Sequence, residues 1–207
     1  MTITVHHLEH SRSQRILWLL EELGLPYEIR SYQRMQTRAA PDSMKAIHPL
    51  GKAPIIEDDG LVIAETGAII EYLVEKAGGR LGPPTEQENR LRYRYFLHYA
   101  EGSVMTALLM SMVVGTVPVV DPVRQRKFQP MVTGHLEFIE AEIGGRPWFA
   151  GEQFSAADVM MSFPLEFAAK ERDGLEGRPA TSAWLKKIHA RPAYRAAIEA
   201  GGPYRFT

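Results

Sequence analysis

Residues His48-Pro49-Leu50-Gly51-Lys52-Ala53-Pro54-Ile55-Ile56-Glu57-Asp58-Asp59-Gly60-Leu61-Val62-Ile63-Ala64-Glu65-Thr66 decide the fold. Pro54 has no N–H to give a sheet, which places it at the first position of a strand. Ile55-Ile56-Glu57 then turns through Asp58-Asp59-Gly60 into Leu61-Val62-Ile63, the pattern of a hairpin. The residue before a proline is held extended, and a cis Ala53-Pro54 bond would leave the Ala53 peptide groups facing outward for an extended peptide ligand. Beyond the hairpin, Glu65-Thr66 precedes a helix with Ile69, Ile70, Leu73 and Val74 on one face and Gly78-Gly79 as its stop, so Thr66 fits an N-cap. Free amides and the positive end of the helix dipole there favour a carboxylate, and Glu65 can take an ammonium. Together they suit an α-amino acid head group. The same residues also admit a purely structural role, with Thr66 only capping, Glu65 solvated and Pro54 only turning the chain.

Upstream, Thr2-Ile3-Thr4-Val5-His6 alternates as a strand does, and from Gln14 the period lengthens, with Ile16, Leu19, Leu20 and Leu23 at helical spacing before Gly24 and Pro26. Tyr27 to Tyr32 alternates again, and a short helix is expected over Asp42 to Ile47. The order is βαβαββα. Downstream, Gly78-Gly79-Arg80-Leu81-Gly82-Pro83-Pro84 is the densest cluster of breakers, and strand signals stop there. It divides an α/β domain over 1–80 from an all-helical domain over 88–207, with 81–87 as linker. In the second domain Glu86 to Val114 forms a long helix bending near Gly102, and Phe128, Val132, Leu136, Ile139 and Ile143 form an apolar stripe ending at Gly144-Gly145. Phe154-Ser155-Ala156-Ala157-Asp158-Val159 has the form of a helix start, with Ser155 as N-cap, Asp158 three residues on and Phe154 set to staple onto Val159. Trp184, Leu185 and Ile188 supply a last apolar face, and Pro192 restarts or kinks the helix.

At 207 residues the chain can build two modest cores. Its 24 basic and 25 acidic residues nearly cancel, with no lysine or arginine block, so nucleic acid and anionic membranes are poor partners and a small neutral or zwitterionic one fits better. No opening stretch has the form of a signal peptide and no apolar run reaches the roughly 18 residues of a membrane span, which predicts a cytoplasmic protein. Cysteine is absent, which removes disulfides, thiolate metal sites and any protein thiol nucleophile. Sulfur chemistry would have to use a ligand's thiol. The seven histidines form no ligand pattern, since His6-His7-His10 lies across a strand end, and no metal is expected.

This compact βαβαββα followed by helices, with His48-Pro49-Leu50-Gly51-Lys52-Ala53-Pro54 leading into Leu61 to Ile69, closely resembles the cytosolic glutathione transferases over nearly the whole chain. His10-Ser11-Arg12-Ser13-Gln14-Arg15 and the helix after it resemble that family's first loop and helix, particularly in its microbial branches. Ser155 to Asp158 resembles its helical-domain capping box. Tyr99 to Ser103 resembles a segment of that domain's first helix. The resemblance implies a thioredoxin-like first domain and glutathione as co-substrate. It implies that Ala53, before a cis Pro54, pairs with the cysteinyl part of the tripeptide. Glu65 and Thr66 would hold the γ-glutamyl end, and Lys52 and His48 the glycyl carboxylate, while Glu101 would reach the γ-glutamyl ammonium across a homodimer interface.

The chemistry then consists of lowering the thiol's pKa, because a free thiol near about 8.5 is mostly protonated at neutral pH. Ser11, four residues before Arg15, has the spacing of the serine-type members and is the first choice of hydroxyl donor. Ser13, His10 and Arg12 are the alternatives, and either serine can instead be a plain cap. No tyrosine stands where tyrosine-type members carry theirs, because Val5-His6-His7 occupies that place. Met105, Leu108, Leu109 and Met112, with Phe163 and Phe167, are candidates for an apolar surface holding a hydrophobic electrophile, although such a stripe also suits a core. The implied activity is conjugation of glutathione to that electrophile in detoxification. Alternatives on the same fold are a peroxidase, isomerase or dehalogenase, or a non-catalytic binding or regulatory relative.

Overall fold

A computed structural model of the protein describes residues 2–37, 39–116, 122–172 and 175–206. The chain forms two compact units, Met1–Gly82 with Ile188–Thr207, and Pro83–Lys187.

In the first unit, β1 (Ile3–Leu8), α1 (Ser13–Leu23), β2 (Tyr27–Tyr32), β3 (Ile55–Asp58), β4 (Leu61–Ala64) and α2 (Thr66–Lys76) follow one another, with a 3₁₀ turn at Asp42–Ala46. The strands form a mixed sheet in the order β2-β1-β3-β4, β1 parallel to β2 and antiparallel to β3, with Val5 opposite Ile29 on one side and Ile56 on the other. Asp58 pairs with Leu61, so the hairpin loop is Asp59-Gly60. Both residues have positive φ, 50° and 79°, which Asp-Gly accepts at little cost and which matches the twist of the strands. Ile3, Val5 and His7 face α1 and α2, whose Ile16, Leu19, Leu20, Leu23, Ile69, Ile70 and Leu73 are buried. Leu8, Met44 and Ile55 form a smaller cluster with Tyr32, Ile47, Ala53 and Ala64.

Three features differ from the sequence-based expectation. The second helix is the 3₁₀ turn, too short for an α-helix to nucleate. Thr66 is the first helical residue of α2 and Glu65 the N-cap. The final helix α8 (Pro192–Gly201) groups with the first unit, where the expected boundary put 88–207 together. The physical reason is its docking on α1. Tyr194 meets Trp18 edge-on with ring centroids 5.1 Å apart, and Arg191 Nη2 donates to Glu22 Oε2 at 2.8 Å. Gly201 allows close approach, since a Cβ there would stand 2.6 Å from Gln14 Oε1 and 2.9 Å from Leu17 Cδ1.

The second unit holds α3 (Gln87–Tyr99), a π turn (Ala100–Met105), α4 (Thr106–Thr116), α5 (Pro122–Gly144), α6 (Ala156–Arg172) and α7 (Pro179–His189), whose last two residues belong to the first unit. The expected bend near Gly102 is that π turn, a feature often found at functional sites. The helical stretch Gln87–Val114 does contain a window long and apolar enough to cross a bilayer, contrary to the sequence-based expectation. Its apolar face is instead core here, with Phe96, Ala100, Val104, Met105 and Leu108 buried. Val132, Leu136, Ile139 and Ile143 are buried along α5, and Phe128 lies outside the described side chains. Phe149 sits between Phe96 and Trp184, with centroids 4.7 and 5.0 Å away. At the head of α6, Asp158 accepts from the Ser155 and Phe149 amides, each at 3.0 Å, and from the Ser155 hydroxyl at 3.2 Å. The Phe154 ring lies edge-on to Trp148.

Candidate functional site

The turn from β1 into α1 brings together the first group of expected site residues. His10 has φ 51°, and Arg12 is the N-cap of α1 without a side-chain cap of its own. Ser11 takes over that duty, its Oγ accepting the Ser13 N–H at 3.2 Å, as a short hydroxyl beside free amides does. Ser13 is the first helical residue and fully buried, while Ser11 is 5% exposed. Their hydroxyl oxygens lie 2.7 Å apart, and Ser13 Oγ lies 2.9 Å from His7 Nδ1. The loop is tied from two sides: Arg34 donates to the carbonyls of Glu9 and His10, each at 3.1 Å, and the Arg205 N–H donates to His10 Nδ1 at 3.2 Å.

The second group lies at the head of β3. The Ala53-Pro54 peptide is cis, Ala53 is half-buried and Pro54 buried. Gly51 has φ 55° and a Cβ there would meet Lys45 Cγ at 2.7 Å, so the tight passage before Lys52 requires glycine. Lys52 is exposed, and half-buried His48 accepts the Leu50 N–H on Nδ1 at 3.4 Å.

The third group heads α2. Glu65 is exposed with φ 71° and ψ 122°, a backbone state costly for a residue with a Cβ, and its side chain makes no cap hydrogen bond. Its carbonyl accepts the Ile69 N–H at 3.0 Å, and the amides that open the helix have no intrahelical acceptor. Thr66 is buried, and its Oγ1 accepts from Arg15 Nη2 at 3.3 Å. Arg15, itself 1% exposed, thereby ties the first turn of α1 to the first turn of α2. Two helix N-termini, a hydroxyl and a carboxylate thus share one unit, an arrangement suited to binding anionic groups and one ammonium.

In the second unit Glu101 is half-buried in the π turn, where its carbonyl accepts from Thr106 Oγ1 at 2.9 Å. Met105, Leu108, Phe163 and Phe167 are buried, which makes them packing residues in this state, whereas Leu109 and Met112 are half-buried. Among the described residues no group of three or more His, Asp or Glu side chains is arranged to hold a metal.

Sequence reasoning missed His7 and Arg15. His7 falls on the apolar side of β1 with Ile3 and Val5, and a polar residue on a core face is the signal that would have found it. Burial lowers its pKa to about 4, a hydrogen bond to the Gly201 backbone partly offsets this, and His10 lowers it further. His6, on the opposite face, is held by Tyr32 at 2.9 Å and Glu57 at 2.6 Å.

Residues 1–75 match the model of the glutathione S-transferase N-terminal domain, and residues 121–192 that of the C-terminal domain. Glutathione S-transferase 3 of Schizosaccharomyces pombe is 38% identical over 213 residues, covering 95% of this chain and 87% of the relative. The chain belongs to the glutathione S-transferase family. Among solved structures, a glutathione S-transferase from Actinobacillus pleuropneumoniae is similar with a TM-score of 0.86 and 35% identity, covering 96% of this chain and 92% of its own. A glutathione transferase family member from Pseudomonas fluorescens, solved with two glutathione bound, has a TM-score of 0.81 at 24% identity, covering 96% and 92% of the two chains, a likeness of fold. The fold class of this glutathione transferase family member, thioredoxin-like α/β followed by all-helical, is the one expected from the sequence.

Proposed function

We propose that this chain binds glutathione, holds it as the thiolate and conjugates it to a hydrophobic electrophile. The observation that carries this reading is Glu65: an exposed glutamate kept in a left-handed backbone state at a helix start, with no partner for its cap position, is strain retained where a ligand uses it. In this reading Glu65 takes the γ-glutamyl ammonium and the α2 amides beside Thr66 take its carboxylate. The Ala53 backbone pairs with the cysteinyl residue, and Lys52 and His48 meet the glycyl carboxylate. The Ser11 hydroxyl donates to the sulfur, supported by the field at the start of α1, and stabilises thiolate over thiol. Ser13 is too deeply buried to do so directly. Leu109 and Met112 offer the flexible apolar surface for the electrophile, with Met105, Leu108, Phe163 and Phe167 packed as its support. The protein works as a cytoplasmic homodimer in detoxification, with Glu101 reaching the γ-glutamyl ammonium across the subunit interface.

Calorimetry with glutathione, followed by turnover of a chromogenic chlorinated arene, tests the reading in wild type and Ser11→Ala. Micromolar to millimolar binding and a Ser11-dependent rate are expected. Failure to bind millimolar glutathione would remove every catalytic reading at once, and binding without turnover would favour a non-catalytic relative.

A further inference from the structure

The Ser11 hydroxyl is the outer end of a buried network. His7 Nδ1 is 2.9 Å from Ser13 Oγ, and Ser13 Oγ is 2.7 Å from Ser11 Oγ. Exposure falls from 5% at Ser11 to 2% at His7 and 0% at Ser13, so the inner members meet no solvent that could replace a lost partner. Ser13 Oγ also accepts the Leu8 N–H and faces the Leu8 carbonyl, each at 3.2 Å. A hydroxyl has one proton to give. The His7 ring is neutral at pH 7, because burial lowers its pKa to about 4, and it hydrogen-bonds the Gly201 backbone. With the ring proton directed to that carbonyl, Nδ1 can only accept. A buried acceptor left unpaired is costly, so Ser13 sends its proton inward to Nδ1 or to Leu8. Ser11 Oγ in turn accepts the Ser13 N–H at 3.2 Å, which fixes its rotamer from the same residue. Ser11 is then the donor across the 2.7 Å contact to Ser13 Oγ, and its proton is the one in the network that can turn to a ligand's sulfur without leaving a buried acceptor unpaired.

We propose that His7, acting through Ser13, is a positioning residue that fixes the Ser11 hydroxyl as the donor to the ligand's sulfur. This rests on Ser11 being that donor, as argued above. Neither His7 nor Ser13 touches the ligand; they hold the oxygen that does, and the benefit is preorganisation of a hydrogen bond made to a charged sulfur.

The test is a pH titration of the ultraviolet thiolate absorbance of the glutathione complex, with kcat and KM, in wild type, Ser11→Ala, Ser13→Ala and the double variant. Ser13→Ala should raise the bound thiol's pKa and lower kcat roughly tenfold with KM for glutathione little changed, the size of one lost hydrogen bond. The double variant should be no worse than Ser11→Ala alone, because both act through one oxygen. His7→Leu should resemble Ser13→Ala, and His7→Asn, which can restore an acceptor near the Nδ1 position, should recover most of the loss. If Ser11→Ala is impaired while Ser13→Ala matches wild type, the positioning role is wrong and the donor assignment stands. Losses that add fully in the double variant also overturn it. If Ser13→Ala is impaired and Ser11→Ala is not, both the positioning role and the Ser11 assignment fall.

Discussion

At the scale of single residues, Glu65 of the candidate site stands against its own backbone preference. With φ 71°, a glycine would sit there more comfortably than any residue with a Cβ. Glu65→Gly is therefore expected to keep the melting temperature at or slightly above wild type while glutathione affinity falls at least about tenfold, the size of a charge-assisted hydrogen bond. A variant that melts earlier with unchanged affinity would show that the glutamate serves the fold. His7 supplies a second test, with a defined sign. Its folded pKa of about 4 lies below its unfolded value, so the stability it contributes is complete above about 6.5 and is lost as pH falls through about 4. Chemical denaturation should show up to about 3 kcal/mol of acid-induced loss in wild type that His7→Leu does not share.

Elements in this fold are held at their ends. Asp158 is wholly buried and receives two amides and a hydroxyl at the head of α6. Asp158→Ala leaves those buried donors without an acceptor, and a loss of about 3 kcal/mol in denaturant unfolding is expected. The Ser155 and Asp158 spacing made this start legible, because a capping box is local in sequence. Thr66 shows the limit of such reading. Its residue type fits a cap, yet α2 begins at Thr66 itself, whose hydroxyl is committed to Arg15, 51 positions earlier. No local pattern announces a partner that far away. The same holds for α8, whose place on α1 depends on Gly201 being small. Gly201→Ala would bring a methyl within 2.6 Å of Gln14 Oε1 and 3.3 Å of His7 Cε1. A cost of about 1–3 kcal/mol in thermal unfolding is expected, and an unchanged melting temperature would show that α8 can shift freely.

At the scale of the whole molecule, legibility followed the range of the interactions. The Asp59-Gly60 turn, the alternation of β1 and the helical stripes are short-range, and they suffice for the hairpin and for the fold class of an α/β part followed by helices. The boundary drawn at the breaker cluster missed the return of α8, because that contact joins residues 169 positions apart, as between Glu22 and Arg191. At the candidate site, Ala53, Pro54 and Glu65 are marked in the sequence by proline and helix-start chemistry. The contact between His7 and Ser13 behind Ser11 is not, since the two become neighbours only when β1 turns into α1. The proposed activity requires the folded chain to hold glutathione as the thiolate at neutral pH. The most direct check is the pH at which the thiol of protein-bound glutathione ionises, followed by ultraviolet absorbance in wild type and Ser11→Ala. Ionisation well below the free thiol's value of about 8.5 is expected in wild type, with a shift back toward it in Ser11→Ala. A bound thiol that titrates in wild type as the free one does would contradict it.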